Sequence, residues 1–139
     1  MALSRRNLCL LLPAAALAPA RAAEEGHLPT IVKRFEDLKA ETSDGNSFRP
    51  ILEGTTHEGF PIEAHQTELA AGSMPHAAHR HQHEEMFLIR EGTVEVTVNG
   101  KSTRLGPGGV AYIAWNDEHG IKNVGPTAAR YFVIALGKD

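Results

Sequence analysis

Short runs in which apolar and polar residues alternate recur along the chain from residue 48 onwards, separated by turn-forming residues. Alternation with a period of two is typical of strands that bury one face and expose the other. Asn99-Gly100, between two such runs, is the strongest two-residue hairpin signal in the chain. The pattern predicts strands at residues 48–55, 62–69, 86–89, 93–98, 101–105, 110–113, 119–124 and 130–136. Strand follows strand without a long helix, which predicts an all-β, antiparallel double-sheet domain.

The segment before these strands has a weaker pattern. Residues 31–35 are compatible with a strand, residues 36–40 with a helical turn, and residues 42–46 with a loop. We therefore expect residues 23–60 to form an N-terminal arm and the first strands, and residues 61–137 to form the barrel. A length of 139 residues, with 42% hydrophobic and 22% charged residues, suits one globular domain.

Residues 1–22 have the order of a cleavable export signal. Arg5-Arg6 precedes an apolar run from Leu8 to Leu17, and small residues follow it up to Ala20 and Ala22. The paired arginines indicate the twin-arginine (Tat) route, with cleavage near Ala20 or Ala22. The apolar run is shorter than the roughly 20 residues that a membrane-spanning helix needs. The prediction is a periplasmic or secreted protein, and an uncleaved N-terminal anchor is the alternative.

Net charge and cysteine content limit the kinds of partner and metal ligand that the chain can use. The net charge is -3, and without residues 1–22 there remain 11 basic and 17 acidic residues, a net charge of about -6. An acidic chain without a basic stripe argues against nucleic acid and against anionic membrane surfaces as partners. Cys9, the single cysteine, lies within the signal, so the mature chain has neither a disulfide nor a thiolate ligand.

The candidate chemistry lies in the stretch from His79 to Glu85. Four histidines fall within eight positions beside two glutamates, at His76, His79, His81 and His83. Alternate residues of a strand share a face, so His79 and His81 can converge on one point. With Glu85 and the distant His119, they offer three imidazole nitrogens and one carboxylate to one divalent metal. A solvated polar loop is the alternative.

These residues carry a family resemblance. Gly72, His79, His81, Glu85 and Gly92 resemble the first cupin motif, with one extra residue between Gly72 and His79. The second motif is similar to Pro107-x-Gly109 followed by His119 and Asn123. Departures are Val110 where an acidic residue is frequent, Ala114 where proline is frequent, and Glu118 before the last ligand. The resemblance spans residues 63–136 and implies a jelly-roll barrel with a metal at His79, His81, Glu85 and His119. Among barrels of this kind a homodimer is the usual assembly.

The mixed ligand set suits a transition metal. Imidazole and carboxylate together favour Mn, Fe, Ni, Co, Zn or Cu over Ca or Mg, which prefer oxygen ligands. We favour Fe or Mn, with Zn, Ni, Cu and Co left open. The resemblance implies a small-molecule ligand and cupin reactions such as dioxygenation, isomerisation, decarboxylation or hydrolysis. Dioxygenase-like oxidoreductase chemistry stands slightly ahead of the other reactions, and a non-catalytic metal or small-ligand binding module is the alternative. Metal-free ligand sensing comes last because it would leave the converging donors without a cation.

Residues near the motifs receive weaker assignments. His83 has the parity of a pocket-lining acid or base, although a bend at residues 82–84 would expose it. Tyr112 and Trp115 are expected to pack in the core or at the rim, with contact to a substrate as the sharper hypothesis. Asn123 is expected to hold a loop by hydrogen bonds, and His76 to lie at the rim. Beyond the metal ligands, the sequence indicates no acid–base pair.

Overall fold

Nine antiparallel strands build two sheets in the computed structural model, which describes residues 26–137. The six-stranded sheet has the order β1-β2-β3-β9-β4-β7, and the three-stranded sheet has the order β6-β5-β8. The strands, numbered β1 to β9 in chain order, are Glu41–Ser43, Asn46–Thr55, Pro61–Leu69, Glu84–Glu91, Val94–Val98, Lys101–Leu105, Val110–Ile113, His119–Asn123 and Ala129–Leu136. The prediction of an all-β, antiparallel single domain is confirmed.

The core lies between the two sheets and is made by alternate residues of their strands. In β9 buried and half-buried positions alternate along the whole strand, as the period of two requires. Asn123, at the end of β8, is fully buried and donates to the carbonyl oxygens of Leu69, Ala70 and Thr127. Its expected role in holding a loop is confirmed. The core cluster of buried hydrophobic residues contains Leu69, Phe87, Ile89, Val94, Val96, Ile113, Ile121, Ala129, Tyr131 and Val133.

Two hairpins show how turn chemistry sets the register. Asn99 and Gly100 have φ of 48° and 79° and join β5 to β6, as the sequence predicts. Asp44 and Gly45 also have positive φ, 51° and 78°, and join β1 to β2. The expectation of a loop over residues 42–46 was therefore wrong. Asp-Gly is a favoured two-residue turn between antiparallel strands, so the residues on either side of it pair as β1 and β2.

The N-terminal arm lies on the outer face of the six-stranded sheet. Residues 31–34 form no strand, contrary to one expectation, and Phe35–Asp37 form a single 3-10 turn. The Lys33 ammonium donates to the carbonyl oxygen of Ile51 on β2 at 2.6 Å, and the guanidinium carbons of Arg49 and Arg90 lie 4.8 and 5.7 Å from the centre of the Phe35 ring. Cations over an aromatic ring hold the arm without a backbone ladder.

The predicted export signal lies outside the described residues. Across residues 26–137 there is no helix with the length and apolar character that a membrane crossing requires.

Candidate metal centre

The two histidine motifs meet through their backbones. His79 N–H donates to the carbonyl oxygen of His119 at 3.0 Å, and His119 N–H donates to that of His79 at 2.9 Å. This isolated antiparallel bridge is the only pairing of His79, which lies outside the nine strands of the described chain, so the expectation that His79 and His81 share a strand was wrong. The bridge positions the loop before β4 against the start of β8, and it brings residues 40 positions apart into one site.

Two of the imidazoles are oriented by backbone carbonyls. His81 Nδ1 lies 2.8 Å from the carbonyl oxygen of His83, and His119 Nδ1 lies 2.9 Å from that of Asp117. A carbonyl can only accept, so each Nδ1 carries the proton. In both residues Nε2 then faces the Glu85 carboxylate, at 3.4 Å for His81 and 3.2 Å for His119. This is the arrangement by which metal-ligating histidines are held in proteins.

The donor set fits a divalent transition metal. One ligand atom from each of His79, His81 and His119 lies within 4.8 Å of the others. Among the described residues, buried His79 Nδ1 and His81 Nε2 have no hydrogen-bond partner. Unpaired buried polar atoms are costly, and a metal would satisfy both nitrogens at once. A second trio, His81, His83 and Glu85, meets the same distance limit, so the four predicted ligands are divided between two trios that share His81.

Charge is concentrated on Glu85. Burial would raise the pKa of its carboxyl, but the hydrogen bond from His119 and the nearby His81 and His83 outweigh it and lower the pKa to about 2. Burial has the opposite effect on an imidazole and lowers the pKa of His79. For His119 burial acts in the same direction, yet the hydrogen bonds to Glu85 and Asp117 raise its pKa overall. The Glu85 carboxylate is thus an anion paired with His119, and a metal cation would replace the Nε2 proton of that imidazole.

The centre opens into a cavity of about 590 Å³ between the two sheets. Glu85 and His119 lie in its wall together with the aromatic rings of Phe48, Phe87 and Tyr131. A volume of this size is typical of small-molecule sites. Polar residues of β1 and its turn, Glu41 to Asp44, also line the cavity and add two carboxylates, Glu41 and Asp44.

Other sequence candidates are divided between the site and the surface. The His83 side chain is 18% exposed, its Nε2 lies 3.5 Å from Glu85 Oε1, and its ring stacks on His81 at 3.7 Å. The expectation that a bend exposes His83 was therefore wrong. Tyr112 and Trp115 are each 59% exposed and do not line the cavity. Tyr112 pairs with Met86, whereas its neighbour Ile113 pairs with Glu85 and is buried, so Tyr112 is on the outer face. His76 does line the cavity.

A histidine–glutamate pair at the edge of the cavity escaped the sequence analysis. His65 Nδ1 lies 3.0 Å from Glu63 Oε1, and His65 lines the cavity. The signal that could have found it is Glu-x-His on a predicted strand, since residues two apart share a face. Parity alone did not say which face of β3 is buried.

The fold and the centre define a double-sheet barrel with a candidate metal site of imidazoles and one carboxylate. The cupin domain family matches residues 65–135, and this chain belongs to it.

Named relatives are distant. L-ectoine synthase of Bordetella parapertussis is 32% identical over 63 residues, 45% of this chain and 48% of that protein, so the chain spans about half the length of the curated relative. KdgF from a Halomonas species is similar in structure with a TM-score of 0.67 and 16% identity, over 80% of this chain and 97% of KdgF. The polyketide cyclase RemF of Streptomyces resistomycificus is similar in structure with a TM-score of 0.64 and 20% identity, over 78% of this chain and 80% of RemF. At these identities the structural likeness concerns the fold alone.

Proposed function

We propose that this chain is an exported, metal-binding cupin that converts a small polar organic molecule, with dioxygenase-like oxidoreductase chemistry as the first candidate. One observation carries the proposal. The buried Nε2 of His81, which has no hydrogen-bond partner, faces the Glu85 carboxylate, and Glu85 and His119 lie in the wall of a cavity of about 590 Å³. A site of this kind combines donors for a metal with room for a substrate.

His79, His81, Glu85 and His119 would hold the metal. Three nitrogens and one oxygen suit Fe or Mn, and also Zn, Ni, Cu or Co. When bound, such a metal supplies Lewis acidity and, for Fe or Mn, redox capacity. The chain itself contributes orientation and shelter: backbone carbonyls fix His81 and His119, and the rings of Phe48 and Phe87 give the cavity apolar walls. Apolar walls strengthen the electrostatic interactions inside.

A reaction without redox chemistry, such as isomerisation or decarboxylation, is the second candidate. It is favoured by the name of the curated relative, a synthase, which names no oxidation. A non-catalytic metal or ligand-binding module is the third, because one barrel hosts many functions.

Export is part of the proposal. The paired arginines and apolar run of residues 1–22 support a Tat signal and a periplasmic or secreted protein. Tat substrates are exported folded, so the metal would be loaded in the cytoplasm, where availability can override the affinity order that favours Cu and Zn. Blocking the Tat route should then change the metal content of the protein, and identical metal content with and without the block would contradict this part.

The test is elemental analysis of protein purified from its native compartment, followed by a panel of phenols, thiols and keto acids. Oxygen uptake together with substrate loss is expected. Substrate loss without oxygen uptake would favour isomerisation or decarboxylation, and bound metal without turnover would favour the binding module. Protein that holds no transition metal, as purified and after reconstitution with Fe or Mn, would overturn the proposal.

A further inference from the structure

The pair of Glu63 and His65 faces the metal centre from the other side of β9. Both residues lie on the inner face of β3, and the His65 ring lies 4.4 Å from the ring of Phe48. In the sheet, Glu63 and Glu85 pair with Ala135 from opposite sides, and His65 pairs with Val133, the partner of Phe87. Two strand spacings separate the Glu63 and Glu85 backbones, roughly 10 Å.

The side chains between the pair and the centre are short. On β9, Ala135 lies between Glu63 and Glu85. Val133 lies between His65 and Phe87. Both are small, so they leave space above β9, and Val133 lines the cavity together with His65 and Glu85. A ring-sized molecule held at the metal centre would therefore lie between Glu85 and His65.

The hydrogen bond to Glu63 sets the chemistry of His65. The Glu63 carboxylate accepts a hydrogen bond from His65 Nδ1–H, which leaves Nε2 as the basic nitrogen. Burial lowers the pKa of His65, and Glu63 and then Glu85 act against it. The residues paired with His65 on β2 and β9, Pro50 and Val133, carry no charge. Neutral His65 is thus ready to accept a proton, and Glu63 would stabilise the imidazolium that forms.

We propose that His65 is the proton acceptor of the site, positioned by Glu63, for a neutral substrate with a weakly acidic hydroxyl of the phenol type. The inference rests on the proposed function. As the substrate binds, its O–H bond breaks, an N–H bond forms at His65 Nε2, and the electron pair stays on the oxygen. No oxidant or reductant is needed for this step.

The lining of the cavity supports this class of substrate. Glu41 and Asp44 line the cavity, and their carboxylates disfavour a molecule that arrives as an anion. Phe48 and Phe87 line it as well and suit an aromatic ring. A neutral phenol can pass the acidic residues and lose its proton inside.

Two probes of Co(II)-loaded protein separate proton transfer from metal binding. Azide arrives as an anion and needs no base, whereas catechol must lose a proton; both perturb the visible spectrum of cobalt. In His65→Gln at pH 7 we expect the dissociation constant of catechol to rise at least about tenfold, as for loss of a hydrogen bond to a charged group, and that of azide to stay within about twofold. Glu63→Gln should give a smaller rise. The difference from wild type should shrink at alkaline pH, where catechol ionises in solution.

The outcomes distinguish the two proposals. An unchanged affinity for catechol in His65→Gln, or an equal weakening of catechol and azide, would overturn the role of His65 and leave the metal centre intact. Failure of wild-type protein to bind Co(II), or of the Co(II)-loaded protein to bind either probe, would overturn the proposed function and this inference with it. His57→Gln, an exposed histidine in the turn before β3, is the matched control and should behave as wild type.

The tautomer of His65 gives a second test in the metal-free protein. Nitrogen-15 NMR of labelled histidines should show the proton of His65 on Nδ1 near neutral pH, and Glu63→Gln should move part of the population to the other tautomer. A predominant Nε2–H tautomer in wild type would contradict the proposal, because Nε2 would then have no lone pair to accept a proton.

Discussion

Glu85 and His119 contact each other across the two sheets, with Oε2 of the carboxylate 3.2 Å from Nε2 of the imidazole. Glu85 lies on β4 of the six-stranded sheet and His119 on β8 of the three-stranded sheet. The side chain of His119 is 1% exposed and that of Glu85 14%. A metal held by these two residues would join the sheets, so metal binding and fold stability should be linked.

Substitution of a central ligand tests that link. His81→Ala should lose the metal and unfold at a lower temperature when metal is present, because a ligand that binds only the folded state stabilises it. The stabilisation lost is about 2.7 kcal/mol at a metal concentration 100 times the dissociation constant. Elemental analysis and thermal unfolding, with and without a chelator, measure both effects. His57→Ala is the control, and full metal content in His81→Ala would contradict the assignment.

Alanine substitutions of His79 and His83, which each belong to one donor trio only, show which trio holds the metal. His79→Ala should lose the metal, because a ligand atom of His79 lies within 4.8 Å of those of His81 and His119. His83→Ala should keep it and lose only the ring stacked on His81. Metal stoichiometry of the two variants decides the question. The reverse result would mean that His81, His83 and Glu85 hold the metal instead.

Asn123 should be important for stability rather than for chemistry. Its side-chain amide donates to three carbonyl oxygens, and its oxygen accepts from Gly125 N–H at 2.9 Å. Asn123→Ala leaves several buried groups unpaired, at about 1–3 kcal/mol for each, so we expect a loss of at least about 3 kcal/mol in urea denaturation. Thr127→Ala keeps the backbone carbonyl and should change stability by less than about 0.5 kcal/mol. Similar losses in both variants would contradict this account.

Gly92 and Gly100 separate backbone strain from close packing. Both have positive φ, 81° and 79°, which costs an alanine about 1–2 kcal/mol. A Cβ at Gly100 would meet open space, whereas at Gly92 it would lie 2.7 Å from Ala129 Cα. Gly92→Ala should therefore destabilise the protein clearly more than Gly100→Ala, as measured by their urea midpoints. Equal losses would show that the contact with β9 relaxes.

The acid sensitivity of the metal-free protein should depend on His65. Its pKa in the folded protein is lowered from 6.5, mainly by burial, so the unfolded chain takes up the proton first as the pH falls. The contribution of neutral His65 to the free energy of unfolding is therefore fully present above pH 6.5 and is lost as the pH falls below it. Urea denaturation at pH 7.5 and 5.5 should show a smaller decline in His65→Gln than in wild type.

Substitution of Glu63 should change the acid sensitivity in the opposite direction to substitution of His65. Glu63 raises the pKa of His65 against burial, so Glu63→Gln should lower it further and steepen the decline with acid. Identical pH dependence in wild type and both variants would show that His65 is not shielded from solvent in the folded protein.

Local pattern predicted most of the strands because alternation and turn chemistry act over a few residues. Asn99-Gly100 indicated the β5–β6 hairpin by the same physics that makes Asp44-Gly45 a turn, although the second signal was read as a loop. His79, His81, Glu85 and His119 were grouped by motif spacing. The structure places ligand atoms of His79, His81 and His119 near one another, and it places Glu85 beside His81 and His119.

The tertiary structure alone decided which side of each element faces the cavity. The period of two says that Glu63 and His65 share a face and that Tyr112 and Ile113 do not. Only the pairing with β9 and β4 places the first pair on the inner face of the sheet and Tyr112 on the outer face. His83 likewise turns inward because the bend before β4 stacks its ring on His81. Side-chain parity is local, whereas the buried face is chosen by the sheet that packs over it, and that contact joins residues far apart in the chain.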